Sequence, residues 1–458
     1  MNLPESLLQS LQQVKGFDEE AFKKVHLSGE QITSVRLNPA KTFNLQALTF
    51  QLQQEPVPWS NYGFYLSERP SFTADPLFHA GAYYVQEASS MFLQQALQQT
   101  VDCLQSVKVL DCCAAPGGKS TLIQSLITAD SLLISNEVIK TRVNILSENI
   151  TKWGAANVIV TNNDPKDFQR LENYFDVIVV DAPCSGSGLF RKDNAAIEEW
   201  SINNVALCSQ RQQRILADVI ASLKENGILI YSTCSYSTAE DETICDWLIE
   251  ELDVETVALK LLAEWNIVET ISEKKQAYGY RFYPDQLKGE GFFIAAFKKN
   301  GAASFTQHVI KERNAAEKIS KNEIEIVKPW LKNADDFFFI KQNDEIIAMP
   351  LHLQEEFNFI QSSLYIKKAG VRMGTVIRNE LIPHHELALS TILKDDIPYC
   401  EVDLENALQY LRKQDVKMET SIKGWALIKY QQMPLGWIKA LPNRINNYYP
   451  KEWRILNK

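Results

Sequence analysis

No uninterrupted apolar run among the 458 residues approaches the roughly 18 needed to cross a bilayer, so a membrane-spanning role is not expected. The opening residues Met1 to Ser6 show no basic region leading into an apolar stretch, so no secretion signal is expected and the location is read as cytoplasmic. The eight cysteines (103, 112, 113, 184, 208, 234, 245 and 400) contain no C-x-x-C pair, which argues against structural zinc. A reducing compartment argues against disulfides as well. The six histidines (26, 79, 308, 352, 384 and 385) fall in no ligand spacing, so no metal is expected. A basic excess is also missing: 47 Lys and Arg stand against 57 Asp and Glu, a net charge of -10. That weighs against indiscriminate nucleic-acid binding but leaves room for local basic surfaces. Such residues gather at Lys288, Lys298, Lys299, Lys311 and Arg313, and again at Lys439, Arg444, Lys451 and Arg454. Internal repeats and low-complexity tracts are absent.

What is present is a chain of 45% hydrophobic and 23% charged residues, enough for a sizeable core and long enough for two to four domains. Residues 1 to 95 mix helical and strand-like patterns, broken by Pro56, Pro58, Pro70 and Pro76. From about 107 apolar strands alternate with amphipathic helices, the pattern of a parallel sheet wrapped on both faces. Strands are read at 107–111, 132–135, 158–161, 176–180 and 228–231, helices at 139–152 and 204–223, and a further helix from about Thr238. A last strand at 292–297 closes the unit. Beyond 300 the alternation weakens. Residues 311–325, rich in Lys and Glu, read as a linker or an exposed helix, and the tail as a small, largely β module.

In an open α/β sheet ligands bind beyond the carboxyl ends of the strands. After the first strand comes Asp111-Cys112-Cys113-Ala114-Ala115-Pro116-Gly117-Gly118-Lys119-Ser120, a turn permitting close ligand approach beside a helix N-terminus. It is neither a Walker A loop nor G-x-G-x-x-G. Glu137 ends the second strand, placed for ribose hydroxyls, and Asp164 the third, placed for an adenine edge. Each alone reads equally as a loop residue or a helix cap. Together, beside a Gly-Gly turn, they favour a cofactor that carries a nucleoside.

The next two strands deliver Asp181-Ala182-Pro183-Cys184-Ser185-Gly186 and Tyr231-Ser232-Thr233-Cys234-Ser235 to the same rim. A lone cysteine is more often a small buried hydrophobe, but two at adjacent strand ends beside a carboxylate suit covalent catalysis. Carbon 5 of cytosine is a poor nucleophile until a thiolate adds at carbon 6. A carboxyl at Asp181 would steady the charge developing on the ring, and a second thiol would help the adduct break down. Lys119 and Lys192 are the candidate cations for promoting the thiolate.

These segments closely resemble the Sun/Nol/Nop family of RNA cytosine-5 methyltransferases, and the length is similar to the bacterial RsmF-like group that modifies 16S ribosomal RNA. The resemblance runs through Arg36-Leu37-Asn38-Pro39, Gly81 to Met91, 111–120, Asp181 to Gly188, Tyr231 to Ser235, Arg281 to Pro284 and Gly289 to Phe293. It implies that S-adenosylmethionine is held by Cys113, Ala114, Ala115, Pro116, Gly117, Gly118, Lys119, Glu137, Asp164 and Asp181. It implies that Cys234 attacks the base, that Cys184 assists breakdown of the adduct, and that the tail is PUA-like, with Asn446 where a lysine is common. Ser235, where threonine is frequent, and Glu290, where aspartate is usual, depart from the family pattern, and neither is expected to touch the reacting groups.

The expected architecture is a Rossmann-like α/β methyltransferase core (96–300), an α+β RNA-binding cap (1–95), a connecting domain (301–395) and a mainly β PUA-like RNA-binding module (396–458), acting as a monomer on RNA without metal or membrane. Transfer RNA remains an alternative substrate. A non-catalytic assembly factor would not need Asp181, Cys184 and Cys234 together, and methylation of an exocyclic nitrogen needs no cysteine. Loss of the residues after about 300 is expected to weaken RNA binding more than cofactor binding.

Overall fold

Five parallel strands form the centre of the protein, seen here in a computed structural model that describes residues 3–301, 319–416, 418 and 420–456. They are β1 (Lys108–Asp111), β2 (Leu132–Asn136), β3 (Val158–Thr161), β4 (Phe175–Asp181) and β5 (Leu223–Thr233), in the spatial order β3-β2-β1-β4-β5. Their side chains alternate between two cores. Leu110, Ile134, Ile159, Ile178 and Leu229 join one, packed with Ile215, Leu216 and Val219 of a helix. Val109, Leu133, Val158, Val177 and Ile228 join the other, packed with Ile123, Val143 and Leu146. The period of two therefore feeds both faces, and this is why the strands read as unbroken apolar runs.

The covering helices are α1 (Gly118–Gln124), α2 (Lys140–Trp153), α3 (Ile202–Val219) and α4 (Glu242–Glu251). Gly154, at φ 94°, ends α2 in the left-handed conformation that glycine adopts without steric cost. The helix expected to run to 223 stops at Val219. A turn over 220–222 follows, and β5 begins at Leu223, where Leu223 pairs with Phe175 and the register shifts before Val177 meets Ile228. Pairing with the neighbouring strand overrides the helical pattern there. The helix expected from Thr238 begins as a short turn, and α4 proper starts at Glu242.

On the far side of β5 the sheet continues antiparallel through β6 (Val254–Val257), β7 (Val268–Ile271), β8 (Tyr278–Phe282) and β9 (Phe292–Lys299). Its other edge is closed by β10 (Ile366–Ala369), which runs antiparallel to β3. This strand comes from beyond residue 300, and with it Phe338, Met349, Phe357 and Ile360 enter the same core as Leu110 and Ile178. The region from 319 to 395 is thus fused to the catalytic sheet. Its own four-stranded sheet spans 337–383. Of the expected 311–325 segment, residues up to 318 lie outside the described ones, and so do Lys311 and Arg313; Ser320 caps a helix over Lys321–Val327.

The N-terminal part carries two helices, Glu5–Leu11 and Glu19–Leu27, and a four-stranded antiparallel sheet formed by segments between 34 and 85. Arg36 of that sheet is buried over the Trp153 ring and donates to Gln86, Ser125 and Thr121, so one guanidinium ties the cap to α1. The tail is a four-stranded sheet (Tyr399–Glu401, Gly424–Tyr430, Met433–Leu441, Arg444–Asn447) with one helix, Leu404–Leu411. The Rossmann-like core, α+β cap and mainly β tail are those expected.

Candidate active site

The strand order reverses between β1 and β4, and the loops after these strands open onto two neighbouring cavities, as the topology of such sheets dictates. The first, of about 500 Å³, is lined by Cys113, Glu137, Val138, Ile139, Pro165, Ile215 and Arg214 among others. The second, of about 400 Å³, is lined by Ala114, Ala115, Pro116, Gly118, Lys119, Asp181 and Cys234. Cys113 and Arg142 line both, so the two are adjacent. Gly117, at φ 115°, sits just before α1, a backbone conformation that side-chain-bearing residues avoid.

Glu137 is buried. One of its oxygens accepts the Ile139 N–H at 2.8 Å and the other lies 3.4 Å from the Arg142 guanidinium. Apolar walls with a fixed carboxylate between them suit a flat base joined to a ribose, so the donor set fits a nucleoside-bearing methyl donor. Asp164 is placed differently. Its carboxylate accepts from Lys166 N in its own turn and lies 3.7 Å from Arg214, while its neighbour Pro165 forms the cavity wall.

Cys234 lines the second cavity, and its sulfur lies 2.9 Å from that of Cys184 behind it in the adjacent loop. Lys119 Nζ lies 2.8 Å from Asp181 Oδ2, and Ser232 donates to Asp181 Oδ1 at 2.9 Å. Burial opposes the charge on Lys119, but Asp181 and Cys234 outweigh burial and raise it above the usual lysine value. The Cys184 thiol is pushed well up by its hydrogen bond to Cys234, by burial and by nearby Glu240. Asp181, Cys184 and Cys234, separate in the sequence, are therefore gathered at one point beside Lys119. Lys192 does not line this cavity.

Several residues at the site are not among those expected to hold the cofactor or react. Arg142, on the first turn of α2, bridges the cavities and donates to Ala115 O at 2.7 Å. Tyr84, Gln86, Glu87 and Ser90 come from the N-terminal cap and wall the cavity that holds Cys234. The two departures from the family pattern are not remote. Ser235 donates to buried Glu240 at 2.7 Å. Glu290 lines the cavity of Cys234, and burial pushes its carboxyl up to about 7, although Arg191 lies 3.6 Å away. Among the described residues no helix is long and apolar enough to cross a membrane, and no cluster of three or more ligating side chains is placed for a metal.

Comparison with known proteins agrees with this geometry. A family model described as 16S rRNA methyltransferase RsmB/F matches residues 99–298. The N-terminal domain of 16S rRNA methyltransferase RsmF matches 3–88, and the methyltransferase RsmF PUA domain matches 399–455. Ribosomal RNA small subunit methyltransferase F of Aeromonas salmonicida is 31% identical, covering 92% of this chain and 90% of that protein. A crystallised methyltransferase homolog protein from Pyrococcus horikoshii is 29% identical with a TM-score of 0.52, over 65% of this chain and 100% of that one. NSun6 from Pyrococcus horikoshii, solved with SFG, shares the fold at 18% identity, with a TM-score of 0.53 over 65% of this chain and 99% of that one.

Proposed function

Because the chain belongs to the RsmB/F family of 16S rRNA methyltransferases, we propose that it methylates carbon 5 of a cytosine in 16S ribosomal RNA from S-adenosylmethionine, with Cys234 as covalent nucleophile. The observation that carries this reading is the contact of the Cys184 and Cys234 sulfurs at 2.9 Å, with Cys234 lining a cavity that shares Cys113 and Arg142 with the one containing Glu137. Cys113, Glu137, Arg142 and the loop Ala114 to Lys119 would hold the cofactor, with Asp164 at its rim. S-adenosylmethionine supplies an electrophilic methyl group when bound.

The residues of the chain then divide the work. The Cys234 thiolate forms a bond to carbon 6, and the electrons of the ring's 5,6 double bond become available at carbon 5. Lys119 and Asp181 present a donor and an acceptor side by side, complementary to the ring acceptors and the exocyclic amine of cytosine. A charge fixed in place before the reaction costs no reorganisation when the ring becomes anionic. After methylation, carbon 5 loses its proton to a base, and Cys184, in contact with Cys234, assists breakdown of the adduct. The carbon–sulfur bond then breaks and the Cys234 thiolate is restored. The target base must leave any stack to enter the cavity, and the cap residues Tyr84 and Glu87 would border it there. In the PUA-like tail exposed Tyr448 packs against buried Trp425, with Lys439 over the Trp425 ring, which leaves Tyr448 open to stack on a base.

One pair of variants tests the assignment. With substrate RNA and cofactor, Cys184→Ala is expected to accumulate a covalent protein–RNA complex resistant to denaturing gels, and Cys234→Ala to form none. The opposite pattern would move the nucleophile to the Pro183-Cys184 segment. Bisulfite sequencing of RNA from cells lacking the gene is expected to show one methylcytosine lost from 16S RNA.

A further inference from the structure

Two thiols in contact pose a problem of selection, since either could attack. The structure places one buried carboxylate where it touches both loops. Glu240, wholly buried, accepts from Ser185 N at 2.8 Å and from Gln212 Nε2 at 3.2 Å through one oxygen. Through the other it accepts from Ser185 Oγ at 2.5 Å and Ser235 Oγ at 2.7 Å. Ser185 follows Cys184, and Ser235 follows Cys234. The same network reaches further along both loops. Gln212 Nε2 also donates to Pro183 O, just before Cys184, and Tyr231, three residues before Cys234, donates its hydroxyl to the Glu240 carbonyl. The two loops also meet directly, Gly188 N donating to Cys234 O at 2.9 Å.

We propose that Glu240 is a positioning residue for the covalent step: its carboxylate clamps the Cys184 and Cys234 loops together and keeps the proton of the sulfur pair on Cys184, leaving Cys234 to attack. The charges around the pair are arranged for this. Glu240 acts on Cys184, and its negative charge favours the protonated thiol. Lys119, held by Asp181, acts on Cys234. Tyr231 and Cys208 are the other titratable groups that interact with the pair. Burial raises the Glu240 carboxyl above its usual range, and the hydrogen bonds from Ser185, Ser235 and Gln212 work against that rise to favour the carboxylate. A neutral side chain could serve as a clamp, but it would not tell the two sulfurs apart.

The proposal rests on the covalent reading above, and the test separates the two. Brief treatment of the full-length protein with iodoacetamide near neutral pH, read by peptide mass spectrometry, is expected to label Cys234 before Cys184. Glu240→Gln keeps the size and removes the charge. It is expected to lower that labelling ratio about tenfold, the effect of roughly 1.4 kcal/mol, and to lower kcat while leaving KM for cofactor and RNA unchanged. Glu240→Asp, which keeps the charge but draws it back from the serines, is expected to retain the labelling preference and lose turnover. A Glu240→Gln protein that binds S-adenosylmethionine normally and keeps the wild-type ratio would overturn the proposal. Should Glu240→Gln not fold, Ser185→Ala decides: it is expected to keep the preference and cut kcat about fivefold, the worth of one hydrogen bond, and wild-type turnover would remove the clamp. If the wild-type enzyme methylates RNA but forms no adduct at Cys234, the covalent reading fails instead.

Discussion

The two regions flanking the catalytic sheet are attached to it in opposite ways. The N-terminal cap meets the core through side chains and lends residues to the cavity: Arg36 plugs into α1, and Tyr84, Gln86, Glu87 and Ser90 wall the space beside Cys234. The described residues after 319 lend nothing to either cavity lining around Cys234 or Glu137, yet the region is joined by backbone, as strand β10 on the edge strand β3. The join falls beside the cofactor loops. Asn163 exchanges two hydrogen bonds with the Tyr365 backbone, each at 3.0 Å, and Asn162 donates to Glu137 O. The cap therefore helps build the base pocket, and the distal region braces the cofactor side. An appended module need not touch a ligand to affect its binding.

The largest effect should come from removing that brace. Ending the chain after residue 300 uncovers the edge of β3 and the core surface packed by Phe338, Phe357 and Ile360. At about 1.5–3 kcal/mol for each apolar side chain exposed, uncovering several is comparable with a typical folding stability of about 5–15 kcal/mol. The truncated protein is expected to be insoluble or to lose cofactor and RNA binding together, measured by calorimetry with each ligand. A soluble fragment that still binds cofactor at full strength would break the comparison. This differs from the division of labour expected from sequence, in which losing the distal region weakens RNA binding more than cofactor binding.

An intermediate effect is expected at the cap. Arg36→Met leaves the buried acceptors on Thr121 and Gln86 without their donor, a loss of roughly 1–3 kcal/mol for each group left unsatisfied. It should lower kcat for RNA while the isolated cofactor affinity holds, which steady-state kinetics and calorimetry would read. The smallest effect should follow from Asn163→Ala. Losing one bidentate link is worth about 1–2 kcal/mol, so cofactor affinity should fall several-fold with the KM for RNA unchanged. A change in RNA KM alone would reverse the assignment of the two flanks.

The difference between the flanks also marks what could be read from the chain in advance. The runs Val158 to Thr161 and Val177 to Val180 announce buried strands because each is apolar on both faces, and the cysteines at 184 and 234 follow from where those strands must end. Strand β10 could not be foreseen. Its residues Ile366-Lys367-Lys368-Ala369 carry no strand pattern, and Lys368 is buried only because Glu386, 18 residues on, pairs with it at 2.8 Å. Its partner strand lies about 200 residues earlier. Arg142 and Glu240 were hidden for a related reason: on a helix or in a turn, one charged residue looks like any other until the fold shows what faces it. Asp164 shows the converse, a carboxylate at a strand end whose observed bonds are those of a turn cap.

The closing strand has a further consequence during synthesis. The catalytic sheet has all its other strands once Lys299 has emerged, but β10 arrives roughly seventy residues later. At 5–20 residues per second that is a delay of about 4–14 s. Throughout it, Val158 to Thr161 presents unpaired amide and carbonyl groups, a template for pairing with a neighbouring nascent chain. On a crowded polysome this interval, more than the finished protein, is when the molecule most needs a chaperone.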